Sequence, residues 1–142
     1  MHAFRTLSIY LGLAMAAVCL VFSPGQAQGP SPWGQWKLLA VYDTDLAAGV
    51  IARVRFDVAG RLHGRGGCNR FSGTYATDAN TLTIETMAST RMACADVAAM
   101  EVEGQFFKAM NAARSFRQVH TDLYLFDDAG NEIARFRQMD AD

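Results

Sequence analysis

The chain has 142 residues, of which 51% are hydrophobic, and a formal net charge of −1. A chain of this length is expected to form one domain with a core of its own. The small negative charge disfavours nucleic acid as a partner, because binding to phosphates needs an excess of lysine and arginine. We therefore expect one small domain that binds no nucleic acid.

The first 27 residues have the pattern of a secretory signal peptide. Arg5 supplies a positive charge, an apolar stretch covers Leu7–Phe22, and Gly25 and Ala27 suit cleavage after Ala27. An uncleaved anchor is the alternative, although the apolar stretch is shorter than the ~20 residues of a spanning helix. The predicted product is periplasmic or secreted and has no membrane span after cleavage.

A membrane-attached lipoprotein is the other localisation that the leader allows. Its lipid would be attached to Cys19, and such a signal needs a small residue just before the modified cysteine. Val18 is bulky and β-branched, so the sequence disfavours lipid attachment.

The first predicted strands follow a polar leader, residues 28–32, which contains proline and glycine. Residues 36–42 form a strand candidate whose alternate apolar residues face one side. In residues 50–56, apolar residues alternate with Arg53 and Arg55, which is the period of a half-buried strand. The turn at Ala59-Gly60 predicts that residues 61–65 pair back as a hairpin.

The glycine-rich run 64–69 carries the first of the two cysteines that remain after the leader. In an oxidising compartment Cys68 and Cys94 are expected to pair, which would stabilise the domain by roughly 3–4 kcal/mol. Two buried free thiols are the alternative. The glycines predict a bulge or a crowded corner, and an anion-binding backbone nest is the functional alternative.

An amphipathic helix of about 96–113 is predicted between two groups of strands. Asp96 is the expected N-cap, and Gly104 is expected to allow close packing on the sheet. The predicted buried stripe consists of Val97, Met100, Gly104, Phe107 and Met110.

Strands are predicted on both sides of this helix, at residues 71–75, 81–85, 115–120, 122–127 and 131–138. Such an order indicates an α+β fold, with a mainly antiparallel, curled or barrel-like sheet packed with one amphipathic helix.

Charge is distributed unevenly along the chain. From Ala95 onward nine acidic residues face five basic ones, whereas the preceding stretch is rich in arginine. Ordinary solvated strand faces explain this pattern, and a weak patch for an anionic partner is the alternative. The arginines of the basic stretch are Arg53, Arg55, Arg61, Arg65, Arg70 and Arg91.

Two short motifs carry a family resemblance. The run GCNRFSGTY at 67–75 and TRMAC at 90–94, together with the helix from Glu101 to Phe107, resemble the META domain family. That family includes the HslJ-like heat-inducible envelope proteins. The resemblance covers residues 33–138, and residues 139–142 are left as a C-terminal tail.

The resemblance implies a small α+β domain in an exported protein, with links to stress tolerance, drug resistance or virulence but no defined activity. The signature positions are interpreted as structural. Asn69 is expected to take a left-handed conformation or to bond local backbone, with a ligand contact as the alternative. The signature positions are Gly67, Cys68, Asn69, Gly73, Tyr75, Met92 and Cys94.

No catalytic or metal-binding pattern is evident in the sequence. It has no G-x-S-x-G elbow, and His63 and His120 lie outside any recognisable motif. We expect no cofactor and no enzymatic activity. The predicted function is that of a monomeric envelope domain that supports stress tolerance by binding an envelope protein or a small ligand. An inhibitor of a secreted hydrolase, or an enzyme with an unrecognised site, is the alternative.

Overall fold

The computed structural model describes residues 29–139, which form one antiparallel sheet and one helix. The predicted signal peptide, residues 1–27, lies outside the described residues, as do Val18 and Cys19. The elements are β1 Gly34–Val41, β2 Thr44–Asp45, β3 Arg53–Phe56, β4 Arg61–Arg65, β5 Arg70–Asp78, β6 Thr81–Ser89, α1 Val97–Ala112, β7 Ser115–Val119, β8 Asp122–Phe126 and β9 Glu132–Gln138.

The sheet closes on itself through β1. Its strands follow the order β2-β1-β3-β4-β5-β6-β7-β8-β9, and β1 also pairs with β9. Residues 34–37 of β1 pair with β3, whereas residues 36–41 pair with β9. The predicted α+β fold with a curled, mainly antiparallel sheet is confirmed.

Alternation along the strands decides which side chains lie inside the ring. On β3 the side chains of Val54 and Phe56 are 1% exposed, whereas Arg53 and Arg55 are exposed. This pattern is the predicted one, although the paired part of the strand begins only at Arg53. The sequence did not predict β2, and β6 continues to Ser89, beyond the predicted end.

Two glycines allow neighbouring strands to approach closely. A side chain at Gly64 would collide with the carbonyl oxygen of Arg53 on β3, and one at Gly73 would collide with that of Thr86 on β6. Glycine inside a strand commonly marks such a close backbone approach. The ring therefore needs glycine at these two positions.

Helix α1 packs with a face that only partly coincides with the predicted one. Asp96 is the N-cap as expected, since its carboxylate accepts from the backbone N–H of Ala99 at 3.2 Å. Val97 is 77% exposed, and nothing lies within 4 Å of a Cβ built at Gly104. Val97, Met100 and Gly104 of the predicted stripe lie on the exposed side, so the packing role of Gly104 is wrong. Met110 is buried as predicted, and Phe107 is partly buried against the core. The buried residues of the helix are Ala99, Glu103, Phe106, Ala109 and Met110.

The helix contributes to the core of the ring through Phe106. Its side chain is fully buried, and its ring centroid lies 5.3 Å from that of Phe71 on β5 and 6.3 Å from that of Phe136 on β9. Aromatic pairs at these distances stabilise a core beyond simple burial. The second half of α1 is thereby packed against β5 and β9.

Candidate functional site

The signature loop, which we define as residues 66–69, packs directly against α1. Gly67 has φ of +134°, and a Cβ there would lie 2.6 Å from the carbonyl oxygen of Ala99. Both the backbone angle and the close approach exclude larger residues. The loop is therefore fitted to the first turns of the helix.

A disulfide joins this loop to the segment that precedes α1. Cys68 and Cys94 are bonded, with their Cα atoms 6.2 Å apart, as predicted from the sequence. The bond links the β4–β5 connection to the chain between β6 and the helix. It thus restrains the two segments that carry most of the signature residues.

Glu103 lies at the centre of this region and is only 6% exposed. Its carboxylate accepts hydrogen bonds from the backbone N–H groups of Cys68, at 3.0 Å, and of Asn69. It also accepts one from the side-chain amide of Asn69 at 2.7 Å. Two backbone N–H groups of the signature loop therefore do bind a carboxyl group, but it belongs to a side chain of the same protein.

The remaining polar atoms of Asn69 are also occupied. Its Oδ1 accepts from the Thr90 hydroxyl at 2.9 Å and from the Met92 backbone N–H at 2.7 Å. Its Nδ2 donates to the Met92 carbonyl oxygen at 3.3 Å as well as to Glu103. The residue is 3% exposed. Its side-chain oxygen and nitrogen therefore offer no free hydrogen-bonding group for the ligand contact that was the alternative.

Asn69 nevertheless differs from the expectation in two ways. It is absent from the positive-φ residues of the described chain, so it does not take the left-handed conformation. Its backbone partner, Met92, lies 23 residues away and is not local. The amide thus ties together three distant segments: the signature loop, the chain before the helix and the helix itself.

The structure brings five of the seven signature residues together and places the other two elsewhere. Gly73 and Tyr75 lie on β5. The Tyr75 hydroxyl donates to the backbone carbonyl of Asp57, and burial raises the pKa of Tyr75, with the Asp57 carboxylate raising it further. Met92 contributes only its backbone, because its side chain is 56% exposed.

Sequence reasoning missed Glu103. Its position three residues before Phe106 and four after Ala99 places it on the buried face of α1. An acidic residue on an otherwise apolar helix face signals a buried partner. The predicted stripe did not include the position of Glu103, so it offered no reason to expect this residue to be buried.

The exposed face of β3, β4 and β5 carries a groove of about 470 Å³, which we call the arginine groove. The exposed side chains of Arg53 and Arg55 line it from β3, and those of His63 and Arg65 line it from β4. Arg70 lines it from β5. His63 thus lies on the outer surface of the sheet.

Ion pairs of the described residues lie outside this groove. The three salt bridges found within residues 29–139 are Arg61–Asp57, Arg135–Asp45 and Arg137–Asp122. None of these acids lines the arginine groove. Within residues 29–139, no carboxylate lines the groove or forms a salt bridge with its arginines.

A second cavity, of about 480 Å³, adjoins the disulfide. Val50, Ile51 and Ala99 give it apolar walls, and Arg53 and Arg65 separate it from the arginine groove. Ile51 is 53% exposed at its edge. The guanidinium groups of these two arginines therefore border both cavities.

Residues 29–139 contain neither a membrane-spanning helix nor a metal-binding cluster. No helix in this range is long and apolar enough to cross a membrane. The same residues contain no group of three or more histidine, cysteine, aspartate or glutamate side chains placed to hold a metal ion.

Comparisons with known proteins identify the family. The META domain family model matches residues 32–140, so the chain belongs to the META domain family. A search of curated proteins gave no significant match.

Solved structures share the fold at low sequence identity. A protein from Burkholderia xenovorans, solved by NMR, is 22% identical with a TM-score of 0.60, and the match covers 83% of this chain and 97% of that chain. A DUF4847 family protein from Bacteroides vulgatus, solved by crystallography, is 16% identical with a TM-score of 0.54, covering 77% and 94%. These similarities concern the fold alone.

Proposed function

We propose that this META domain protein is a non-catalytic, exported envelope domain whose arginine groove binds anionic groups of a protein or a small ligand. Binding there would support envelope integrity under stress, the role that the family resemblance implies. Export rests on the signal-peptide pattern of residues 1–27. A disulfide is also typical of proteins that work in an oxidising compartment.

The observation that carries this proposal is the difference between the two polar regions of the molecule. Around Asn69 and Glu103, the buried polar side-chain groups are bonded to one another. In the arginine groove, Arg53, Arg55 and Arg70 make no salt bridge or side-chain hydrogen bond within residues 29–139. Guanidinium groups are suited to carboxylates and phosphates, which they bind with two parallel hydrogen bonds.

A titration with citrate, followed by NMR of the backbone amides, tests the proposal. Citrate should shift the amides of β3, β4 and β5, and the shifts should disappear in the double variant Arg53→Gln/Arg70→Gln. Arg117→Gln is the matched control, because Arg117 lies on β7 over the rings of Tyr124 and Phe126. Shifts that survive in the double variant, or that map away from these strands, would refute the groove as the binding site.

A further inference from the structure

Five cationic residues form one continuous row across five neighbouring strands. In the sheet register Arg137 of β9 lies opposite Lys37 of β1, and Lys37 lies opposite Arg53 of β3. Arg53 in turn lies opposite Arg65 of β4, and Arg65 lies opposite Arg70 of β5. All five side chains are exposed. We call this set the cation row.

The row is regular because the sheet sets its spacing. Adjacent strands lie about 4.8 Å apart, so the Cα atoms of Lys37 and Arg70 are separated by roughly 14 Å measured across the strands. The side chains of Arg53, Arg65 and Arg70 also line the arginine groove. The row therefore runs through an open groove at right angles to the strands.

One end of the row shows how such a charge can be neutralised within the fold. Asp122 lies opposite Arg137 on the next strand, and the Asp122 carboxylate accepts from Arg137 Nε at 2.9 Å. The remaining four members of the row make no salt bridge within residues 29–139. We refer to these four as the uncompensated cations.

Placing like charges directly opposite each other on neighbouring strands is destabilising. The uncompensated cations lie opposite one another at three successive strand pairs. Among them, only the Arg65 side chain makes a hydrogen bond within residues 29–139, to the Gly67 carbonyl. An anionic partner that spans the row would remove this repulsion. The partner must itself be regular and extended to meet four cations in line.

We propose that the four uncompensated cations bind a linear acidic polysaccharide, in which each sugar carries one carboxylate, lying across the strands. The inference rests on the proposed function and names its ligand class. The repeat of one sugar in such a chain is of the same order as the distance between adjacent strands, so the carboxylates that face the sheet lie within reach of the long cationic side chains of the row. Arginine binds each carboxylate with two hydrogen bonds, and the groove accommodates the sugar rings.

Two other polyanionic surfaces fit the row less well. Single-stranded nucleic acid binds with its bases stacked on aromatic rings, but the strongly exposed aromatic residue of residues 29–139 is Trp33, which does not line the groove. An anionic membrane is flat, whereas three of the uncompensated cations lie in a groove. A single polysaccharide chain needs no aromatic stacking and is narrow enough to lie in the groove.

Calorimetric titration of the purified protein with a galacturonate hexamer and with monomeric galacturonate tests this assignment. At equal carboxylate concentration, the hexamer should bind at least about tenfold more tightly. Its affinity should fall roughly 50-fold between 50 and 200 mM salt if four ion pairs form with the salt slope of a flexible single strand. The double variant Arg53→Gln/Arg70→Gln should reduce that fall to roughly sevenfold.

The matched control is the double variant Asp122→Asn/Arg137→Gln, which removes the neutral ion pair beside the four uncompensated cations. It should keep the affinity of the wild type within about twofold, because that pair is neutral as a whole. A chain ending at Met139, which lacks the acidic residues Asp140 and Asp142, should bind at least as tightly as the full chain. A loss of binding in either variant would overturn the proposal.

Three results would overturn the ligand class while leaving the proposed function testable by itself. The first is equal affinity per carboxylate for monomer and hexamer. The second is tighter binding of a single-stranded oligothymidylate of matched charge, or of vesicles rich in phosphatidylglycerol. The third is no binding of the hexamer while citrate still shifts the amides of the arginine groove. Failure of the citrate titration would instead refute the proposed function.

Discussion

Asn69 Nδ2 donates a 2.7 Å hydrogen bond to Glu103 Oε1, although the two residues are 34 positions apart in the chain. Both are almost fully buried. The bond joins the signature loop to the middle of α1, beside a disulfide that joins the same loop to the segment before the helix. The signature residues around it therefore act as a clamp between loop and helix.

Removal of the Glu103 carboxylate should strongly destabilise the domain. Glu103→Ala leaves the buried N–H groups of Cys68 and Asn69 without an acceptor. We expect a loss of about 3 kcal/mol in the free energy of unfolding, measured by urea denaturation. Glu101→Ala, an exposed change on the same helix, is the control and should change it by less than about 0.5 kcal/mol. Equal losses of stability in the two variants would contradict the role of Glu103 in holding the signature loop to the helix.

Removal of the disulfide should lower stability by a different route. Cys68→Ala/Cys94→Ala opens a loop of 26 residues, so we expect a loss of roughly 3–4 kcal/mol, chiefly through the entropy of the unfolded chain. Thermal melting of the variant, compared with the wild type under reducing and oxidising conditions, measures this. A wild type that is insensitive to reductant, once its thiols are shown to be free, would contradict the prediction.

Acid should remove the stability that comes from the pair between Asp122 and Arg137. The hydrogen bonds from Arg137 hold the pKa of Asp122 below its usual value. The stability that this ion pair contributes is therefore fully present above the ordinary carboxyl pKa of about 3.9. It is lost as the pH falls through the lowered pKa of Asp122 in the folded protein. Asp122→Asn should destabilise the protein at pH 6 by less than about 1 kcal/mol, because the pair is exposed, and this difference should disappear in strong acid. A stability difference between wild type and Asp122→Asn that grows as the pH falls would contradict a lowered pKa of Asp122.

Export can be tested on the mature protein. N-terminal sequencing of the protein from the envelope fraction should begin near Gln28, after the predicted cleavage at Ala27. A mature protein that begins at a lipidated Cys19 would instead establish the lipoprotein alternative.

The alternation of apolar residues was sufficient to predict most of the sheet. Val54 and Phe56 face inward as expected, because a strand has only two faces and one of them is apolar. Helix α1 was harder, because apolar residues such as Val97 and Met100 stand on its exposed side. The three- and four-residue spacing fits two neighbouring faces of the helix, and the predicted stripe agrees with the buried face at Phe107 and Met110 but not at Val97 and Met100.

The two polar regions depend on information that a single sequence does not display. Glu103 meets Asn69 only because the helix returns over the β4–β5 loop. The cation row depends on the register of several strand pairs, which places Lys37, Arg53 and Arg65 opposite one another. The excess of arginine was visible in the sequence, but its alignment into a row was not.

The central claim is that the signature residues stabilise the fold, whereas the exposed arginines bind the ligand. The most direct test measures both the free energy of unfolding and the affinity for a galacturonate hexamer in two variants, Glu103→Ala and Arg53→Gln/Arg70→Gln. Binding is measured at low temperature, where both variants remain folded.

Glu103→Ala should lose stability and keep its affinity, whereas Arg53→Gln/Arg70→Gln should keep or slightly gain stability, by up to about 0.5 kcal/mol, and lose affinity. Loss of affinity in folded Glu103→Ala, together with unchanged affinity in the arginine variant, would contradict the claim and place the binding site at the signature loop.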